Sequence, residues 1–294
     1  MGQKLTLVVT CTERKSVSAS PRHQVRNLAP GSLQRRAVRW SSSVSDATDT
    51  LPIGQLYQGE AWSQVSRLRE AAGGAGFDPM LVVVSAGLGL RSLDSHAPAY
   101  SATFTTGHAD SVARDRGEAQ AWWRHVSRSP ASLDPKKTFA GPTLFVLSES
   151  YAHALADDLG DMAHREDILI FGGAAGLPEH QRMPADGAMR KHLGGTLTSL
   201  NTRMASAWLE RLRTPNLVDA TSREEWLDWK EGVREVEHFQ RRSIQDSAVR
   251  DWIRDARTRD PALSRTRALR LLRDSGIACE QRRFATLFSL VETR

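Results

Sequence analysis

Cys11 closes an apolar run, Leu5 to Val9, and the residues after it are polar and basic: Glu13, Arg14, Lys15, Ser20, Arg22 and His23. A thiolate is the reactive form of cysteine, and nearby Arg, Lys or His⁺ favours it, so this spacing suits a nucleophile at the mouth of a first strand. The plain alternative for Cys11 is a small hydrophobe ending a core strand. Lys15 would stabilise developing negative charge, or else serve as a surface cation or phosphate contact. His23 would direct a water, and Glu149 is a second candidate for that work, although an acid just past a strand also reads as a helix cap. Ser85 and Gly87 follow a second apolar run and suit a pocket floor. Tyr57, Trp62 and Tyr100 are candidates for stacking on a base, or else core aromatics.

Strands rich in β-branched residues must carry these groups. The pattern predicts strands at Leu5 to Val9, Met80 to Ser85, Thr143 to Leu147 and Asp167 to Phe171, each ending in polar or glycine residues: Cys11, Ser85, Ser148-Glu149 and Gly172-Gly173. Helices are expected between them, at Ser32 to Trp40 with Ser32 as cap, Glu60 to Ala72, Glu118 to Ser127, Ala152 to Leu159 and Thr198 to Leu212. Thr12 to Ile53, with Pro21, Pro30 and the serine run Ser41 to Ser45, otherwise reads as a long polar loop. Strands alternating with helices indicate an α/β protein with a mostly parallel or mixed sheet, whose ligands sit beyond the carboxyl ends of the strands. That would bring Cys11, Ser85 and Glu149 to one rim. After Pro215 no strand-like run remains. Helices are expected at 222–239, 246–257, 264–274 and 280–290, so the chain divides into an α/β core over 1–214 and a basic helical subdomain over 215–294. Ser275-Gly276 joins the last two helices, a helix-turn-helix-like arrangement. Leu269, Leu272, Ile277, Phe284 and Leu287 equally suit a small helical bundle.

The bulk numbers narrow the class. With 294 residues, 40% hydrophobic and 25% charged, the chain can bury a real core. It has no apolar run of the ~20 residues that a membrane helix needs. Met1-Gly-Gln-Lys leads straight into a strand, so no signal peptide and no membrane partner are expected. Two distant cysteines, Cys11 and Cys279, point to a reducing cytoplasm rather than a disulfide framework. No metal-ligand spacing appears, and no cofactor is expected. The formal net charge is +6. From Arg241 to Arg294 there are 13 Arg and 7 acids, an excess of +6 made by arginine alone. Arginine forks match phosphate oxygens, so the tail (Arg265, Arg267, Arg282, Arg283) and the early cluster (Arg22, Arg26, Arg35, Arg36, Arg39) read as nucleic-acid contacts, or else as a solvated face with paired charges.

Several motifs resemble those of the YaaA-like superfamily: Cys11-x-x-x-Lys15, Leu56-Tyr57-x-Gly59, Ser85-Ala-Gly-Leu-Gly-Leu90 and Pro98-x-Tyr100, in that order. Leu88 stands where those proteins carry an aromatic. The first segment also resembles the PC-x3-KPY-x2-S-x2-H motif of archaeosine synthases. Cys11, Lys15, Ser20 and His23 keep its intervals, with Thr10 for the Pro and Ser16-Val17 for Pro-Tyr. A family related to both groups, DpdC, belongs to bacterial systems that place 7-deazaguanine bases in DNA. Likeness to it implies hydration of the nitrile of DNA-borne 7-cyano-7-deazaguanine to the amide. DNA carrying the modified base would be the partner, together with other proteins of a DNA modification system. Cys11, Lys15, His23 and Glu149 would then act on the nitrile, with Ser20, Tyr57, Gly59, Ser85, Gly87, Tyr100 and Gly172 around the base. Two other classes share the basic surface: a non-catalytic YaaA-like DNA-binding protein of stress responses, and a base-exchange or glycosylase enzyme.

Overall fold

Leu5, Leu7, Val8 and Val9 are all buried, as expected of a strand covered on both faces. They belong to β1 (Gln3–Thr10), at the centre of a six-stranded sheet in a computed structural model that describes residues 2–173, 176–236 and 242–292. The other strands are β2 (Phe77–Ser85), β3 (Gly89–Ser92), β4 (Thr143–Leu147), β5 (Ile168–Gly172) and β6 (Arg182–Met183). Their order is β3-β2-β1-β4-β5-β6. All neighbours are parallel except β3, which folds back on β2. The chain therefore leaves β1 toward one side for β2 and returns to the other side for β4. In such a doubly wound sheet the crevice opens beyond the carboxyl ends where those two strands part.

Helix Glu60–Gly74 packs on Leu200–Leu209 and on β2, and Leu200–Leu209 also covers β4 and β5. A second group, Leu33–Ser45, Arg116–Val126 and Glu149–Ala154, packs on itself. The expected α/β class thus holds, and Thr143–Leu147 has the expected bounds. The long polar loop is more structured than its composition suggests. Two single-turn 3-10 helices, Pro21–His23 and Val25–Asn27, precede Leu33–Ser45, in which Ser32 caps the Arg35 amide as expected. The serine run continues this helix because Ala37 and Trp40 bury one stripe of it. The helix expected over Ala152 to Leu159 is two short ones, Glu149–Ala154 and Ala156–Asp161.

Two compact units divide between Glu235 and Val236, later in the chain than the break expected at 214/215. The cause is helix Ala220–Val233, whose Trp226 packs edge-on against Phe171 and Trp208 of the first unit. Residues 237–239 of the helix expected there lie outside the described residues. The second unit holds helices Asp246–Arg259, Arg265–Asp274 and Gln281–Glu292 around Val249, Ile253, Leu272 and Phe284. Its last two helices are joined through residues 275–280, where Ile277–Ala278 pairs with Arg242–Ser243. This link is longer than the short turn of a helix-turn-helix. Leu269, Leu272, Ile277, Phe284 and Leu287 are all buried in this bundle's core. Among the described residues no helix is long and apolar enough to cross a membrane.

Candidate active site

Cys11 continues past β1 with its amide bonded to the Val84 carbonyl at 2.9 Å, so it sits level with Ser85 at the end of the neighbouring strand. Its side chain is half-buried, and its Sγ lies 3.2 Å from the hydroxyl of Tyr151. Tyr151 belongs to Glu149–Ala154, the helix that follows β4. The sulfur–phenol contact therefore spans the parting of β1 and β4.

Lys15 is brought in by backbone pairing between the loop after Cys11 and the Leu56-Tyr57-Gln58 segment. The Ser16 amide donates to the Leu56 carbonyl at 2.9 Å and the Gln58 amide to the Arg14 carbonyl at 3.1 Å. Gly59 follows at φ +96°, where a Cβ would also stand 3.2 Å from the Arg14 Cδ, so the close approach of the two segments needs glycine. Lys15 Nζ donates to the carbonyls of Thr12 (3.0 Å) and Glu13 (3.2 Å) and lies 4.3 Å from the centre of the Tyr100 ring. Burial lowers its pKa below the usual lysine value, opposed by the negative charge of Cys11, Glu13 and Asp110. With two hydrogens committed to carbonyls, the amine form would turn its lone pair to the remaining direction.

Behind the thiol runs a chain of buried hydroxyls. Ser85 Oγ accepts from the amides of Gly87 (3.1 Å) and Leu88 (3.0 Å), lies 2.6 Å from Tyr100 OH, and Tyr100 OH lies 2.7 Å from Tyr57 OH. A hydroxyl has two acceptor sites and one hydrogen. The two amides fill the acceptor sites of Ser85, so its hydrogen goes to Tyr100. Tyr100 then donates to Tyr57, and the Tyr57 hydrogen is the loose end. The turn that starts this chain is fixed from outside: Trp122 Nε1 donates to the Ala86 carbonyl and Trp40 Nε1 to the Gly87 carbonyl, each at 2.7 Å. A Cβ at Gly87 would stand 2.7 Å from the Tyr100 ring, so a side chain there is excluded. The chain has three tyrosines, Tyr57, Tyr100 and Tyr151, and all three converge here. Burial, and then the charge of Cys11, hold each phenol well above its ordinary pKa. They are neutral hydrogen donors at physiological pH.

Cys11, Lys15, Tyr57, Ser85, Gly87 and Tyr100 thus come together as one constellation, with Gly59 at its edge. Base stacking on Tyr57 and Tyr100 does not survive the structure. Both rings are buried, and the Lys15 ammonium lies over the Tyr100 face. What these residues offer is their hydroxyls. His23 is buried with Nε2 3.0 Å from the Ser43 carbonyl, a contact that requires the ring to donate and ties the loop to helix Leu33–Ser45. Ser20 is exposed, and its carbonyl receives the His23 amide. Glu149 is exposed beside Arg116 (3.3 Å) and His153 (4.0 Å). With Gly172 it lines a separate cavity of about 490 Å³ whose walls do not include Cys11. Residues two apart on a helix point to nearly opposite sides, so with Tyr151 facing the thiol, Glu149 faces away.

Among the arginines, Arg26 is held by the buried carboxylate of Asp110, and Arg36 lies over the Trp122 ring at 5.9 Å. Arg22, Arg35 and Arg39 are exposed on the first unit. On the second unit Arg267 pairs with Asp260 at 3.2 Å and Arg283 with Asp246 at 2.6 Å, while Arg265 and Arg282 are exposed. Tyr151, Asp110 and Arg91 were not singled out as site residues. Burial raises the Asp110 pKa, but its bonds to Arg26 more than offset this and hold it below the usual carboxylate value. Among the described residues no three His, Cys, Asp or Glu side chains gather as a metal set. No family model, curated protein or solved structure matches this chain.

Proposed function

We propose that the chain hydrates the nitrile of 7-cyano-7-deazaguanine in DNA to the 7-amido base. The observation that carries this reading is the Cys11 sulfur at the parting of β1 and β4, 3.2 Å from the Tyr151 hydroxyl and close enough to Lys15 to act on its charge. Cys11 gives up its proton to Lys15 and attacks the nitrile carbon. The Sγ–C bond forms, one C–N π bond opens, and the nitrogen takes a proton from the Tyr57 hydroxyl, which Lys15 restores. Water then adds to the thioimidate carbon. Collapse expels the sulfur with a proton and leaves the amide, so one nitrile and one water give one amide. Stopping there requires that the amino group of the tetrahedral adduct leave less readily than sulfur. Phenols held well above their ordinary pKa serve this end, since they are too weakly acidic to turn that amino group into an ammonium. A site that acts on a base must take it out of the stack, and the exposed Arg22, Arg35 and Arg39 are suited to grip phosphates during that step. The likeness of Cys11-x-x-x-Lys15 to the 7-deazaguanine enzymes supports the substrate.

The deciding experiment incubates the protein with DNA that carries the cyano base, digests the DNA and weighs the nucleosides. A gain of one water on the modified nucleoside is expected. An unchanged nucleoside overturns the reading, and release of free base would point to base exchange instead.

A further inference from the structure

Arg91 lies on the edge strand β3 and is only 6% exposed. One guanidinium nitrogen donates to the Ala131 carbonyl, but Nε has no hydrogen-bond partner among the described residues. The groups whose charge bears on it are the phenols of Tyr57 and Tyr100, both neutral at physiological pH. A buried guanidinium stays protonated, so it is costly to leave without an anion or a full set of acceptors. The orphaned Nε–H belongs to a residue that lines a recessed cavity of about 150 Å³. The same wall carries four hydroxyls and an imidazole: Ser41, Ser45, Thr50, Ser129 and His96. Ser41 and Ser45 are one helical turn apart on Leu33–Ser45 and so share a face.

We propose that this cavity binds a tetrahedral oxyanion, inorganic phosphate being the simplest, on the Arg91 guanidinium. The volume equals about five waters at ~30 Å³ each, which leaves room for one phosphate or sulfate together with ordered water. The lining offers hydrogens from several directions, as a tetrahedral acceptor requires and a planar carboxylate does not. The same chemistry could reach the cavity as a free ion or as a phosphodiester of nucleic acid. Gly87 is part of the cavity wall and also abuts Tyr100, so the ion would sit behind the turn that orders the hydroxyl chain. This inference does not depend on nitrile hydration.

The test titrates the full chain with sodium phosphate by calorimetry, against sodium chloride at matched ionic strength. Saturable binding of one phosphate, competed by sulfate and absent with chloride, is expected. Arg91→Lys should weaken it at least about tenfold, because a point charge does not replace the fork. Should that variant fold poorly, Ser129→Ala and Ser45→Ala each remove one hydroxyl and should weaken phosphate several-fold with an unchanged melting temperature. Binding no stronger than that of chloride, or phosphate binding indifferent to all three substitutions, overturns the proposal. An oligonucleotide that displaces phosphate assigns the site to nucleic-acid backbone, and one that leaves it bound assigns it to the free ion.

Discussion

Replacing Ser85 by Ala tests the hydroxyl chain at its origin. The substitution removes the acceptor of two buried amides, Gly87 and Leu88, and the donor to Tyr100. An unsatisfied buried donor costs about 1–3 kcal/mol, so the two amides together cost roughly 2–6 kcal/mol. A unit of this size loses about 2–4 °C of melting temperature per kcal/mol, which gives a fall of at least about 4 °C. Tyr57→Phe, at the other end, strands a single phenol hydrogen and should cost about 1–3 kcal/mol. Urea unfolding followed by near-ultraviolet circular dichroism suits the measurement, because Trp40 and Trp122 are bonded to the same turn. The order matters more than the sizes: Ser85→Ala should be the costlier change. If Ser85→Ala stays within about 1 kcal/mol of the parent, or Tyr57→Phe proves the more damaging, the assigned direction of the hydrogens is wrong.

The phenols make a pH prediction. Their folded pKa values lie well above the ordinary 10.0, so below pH 10 their contribution to stability is whole, and it is lost as pH rises from 10 toward the folded values. An ultraviolet titration should therefore show phenolate appearing together with unfolding, and native-state ionisation near pH 10 would contradict this. Gly87→Ala should destabilise by at least about 1–3 kcal/mol through collision with the Tyr100 ring, readable by chemical denaturation. Cys11→Ala should abolish amide formation in a single-turnover assay on cyano-base DNA, whereas near-normal turnover removes the covalent route. DNA affinity should fall steeply with salt. Arg282→Ala should lower the slope of log affinity against log salt by about one, while Arg283→Ala, which breaks the pair with Asp246, should also reduce stability.

The strands were legible because a parallel core strand writes itself as an uninterrupted apolar run, and Thr143–Leu147 is bounded by Gly141-Pro142 before it and Ser148-Glu149 after it. The edge strand Gly89–Ser92 was not, since its residues lie inside a glycine-rich stretch whose pairing with β2 depends on a turn held by distant indoles. Cys11, Lys15, Ser85 and Tyr100 could be collected from their places at strand ends and in short motifs. Tyr151 could not be separated from Glu149 without the phase of a short helix, although the scarcity of tyrosine was a usable signal. Asp110 and Arg26 are far apart in the chain, and nothing local tells that one guanidinium is spent on that carboxylate rather than on a phosphate. The break between units was misplaced because Trp226 looks like any helical apolar residue until Phe171 and Trp208 are seen beside it.

The one-way order of the hydroxyls has a bearing on selectivity. Tyr57 ends the chain with a hydrogen, and the Lys15 ammonium lies 5.5 Å from the centre of its ring. A visiting molecule that brings lone pairs, such as the nitrogen of a cyano group, finds partners waiting. One that arrives with N–H bonds of its own finds less, the single acceptor site that the Tyr57 oxygen keeps beside the bond from Tyr100. A carboxamide turned with its NH₂ toward Tyr57 is in that second position, so under the proposed reaction this geometry would favour the nitrile over its amide.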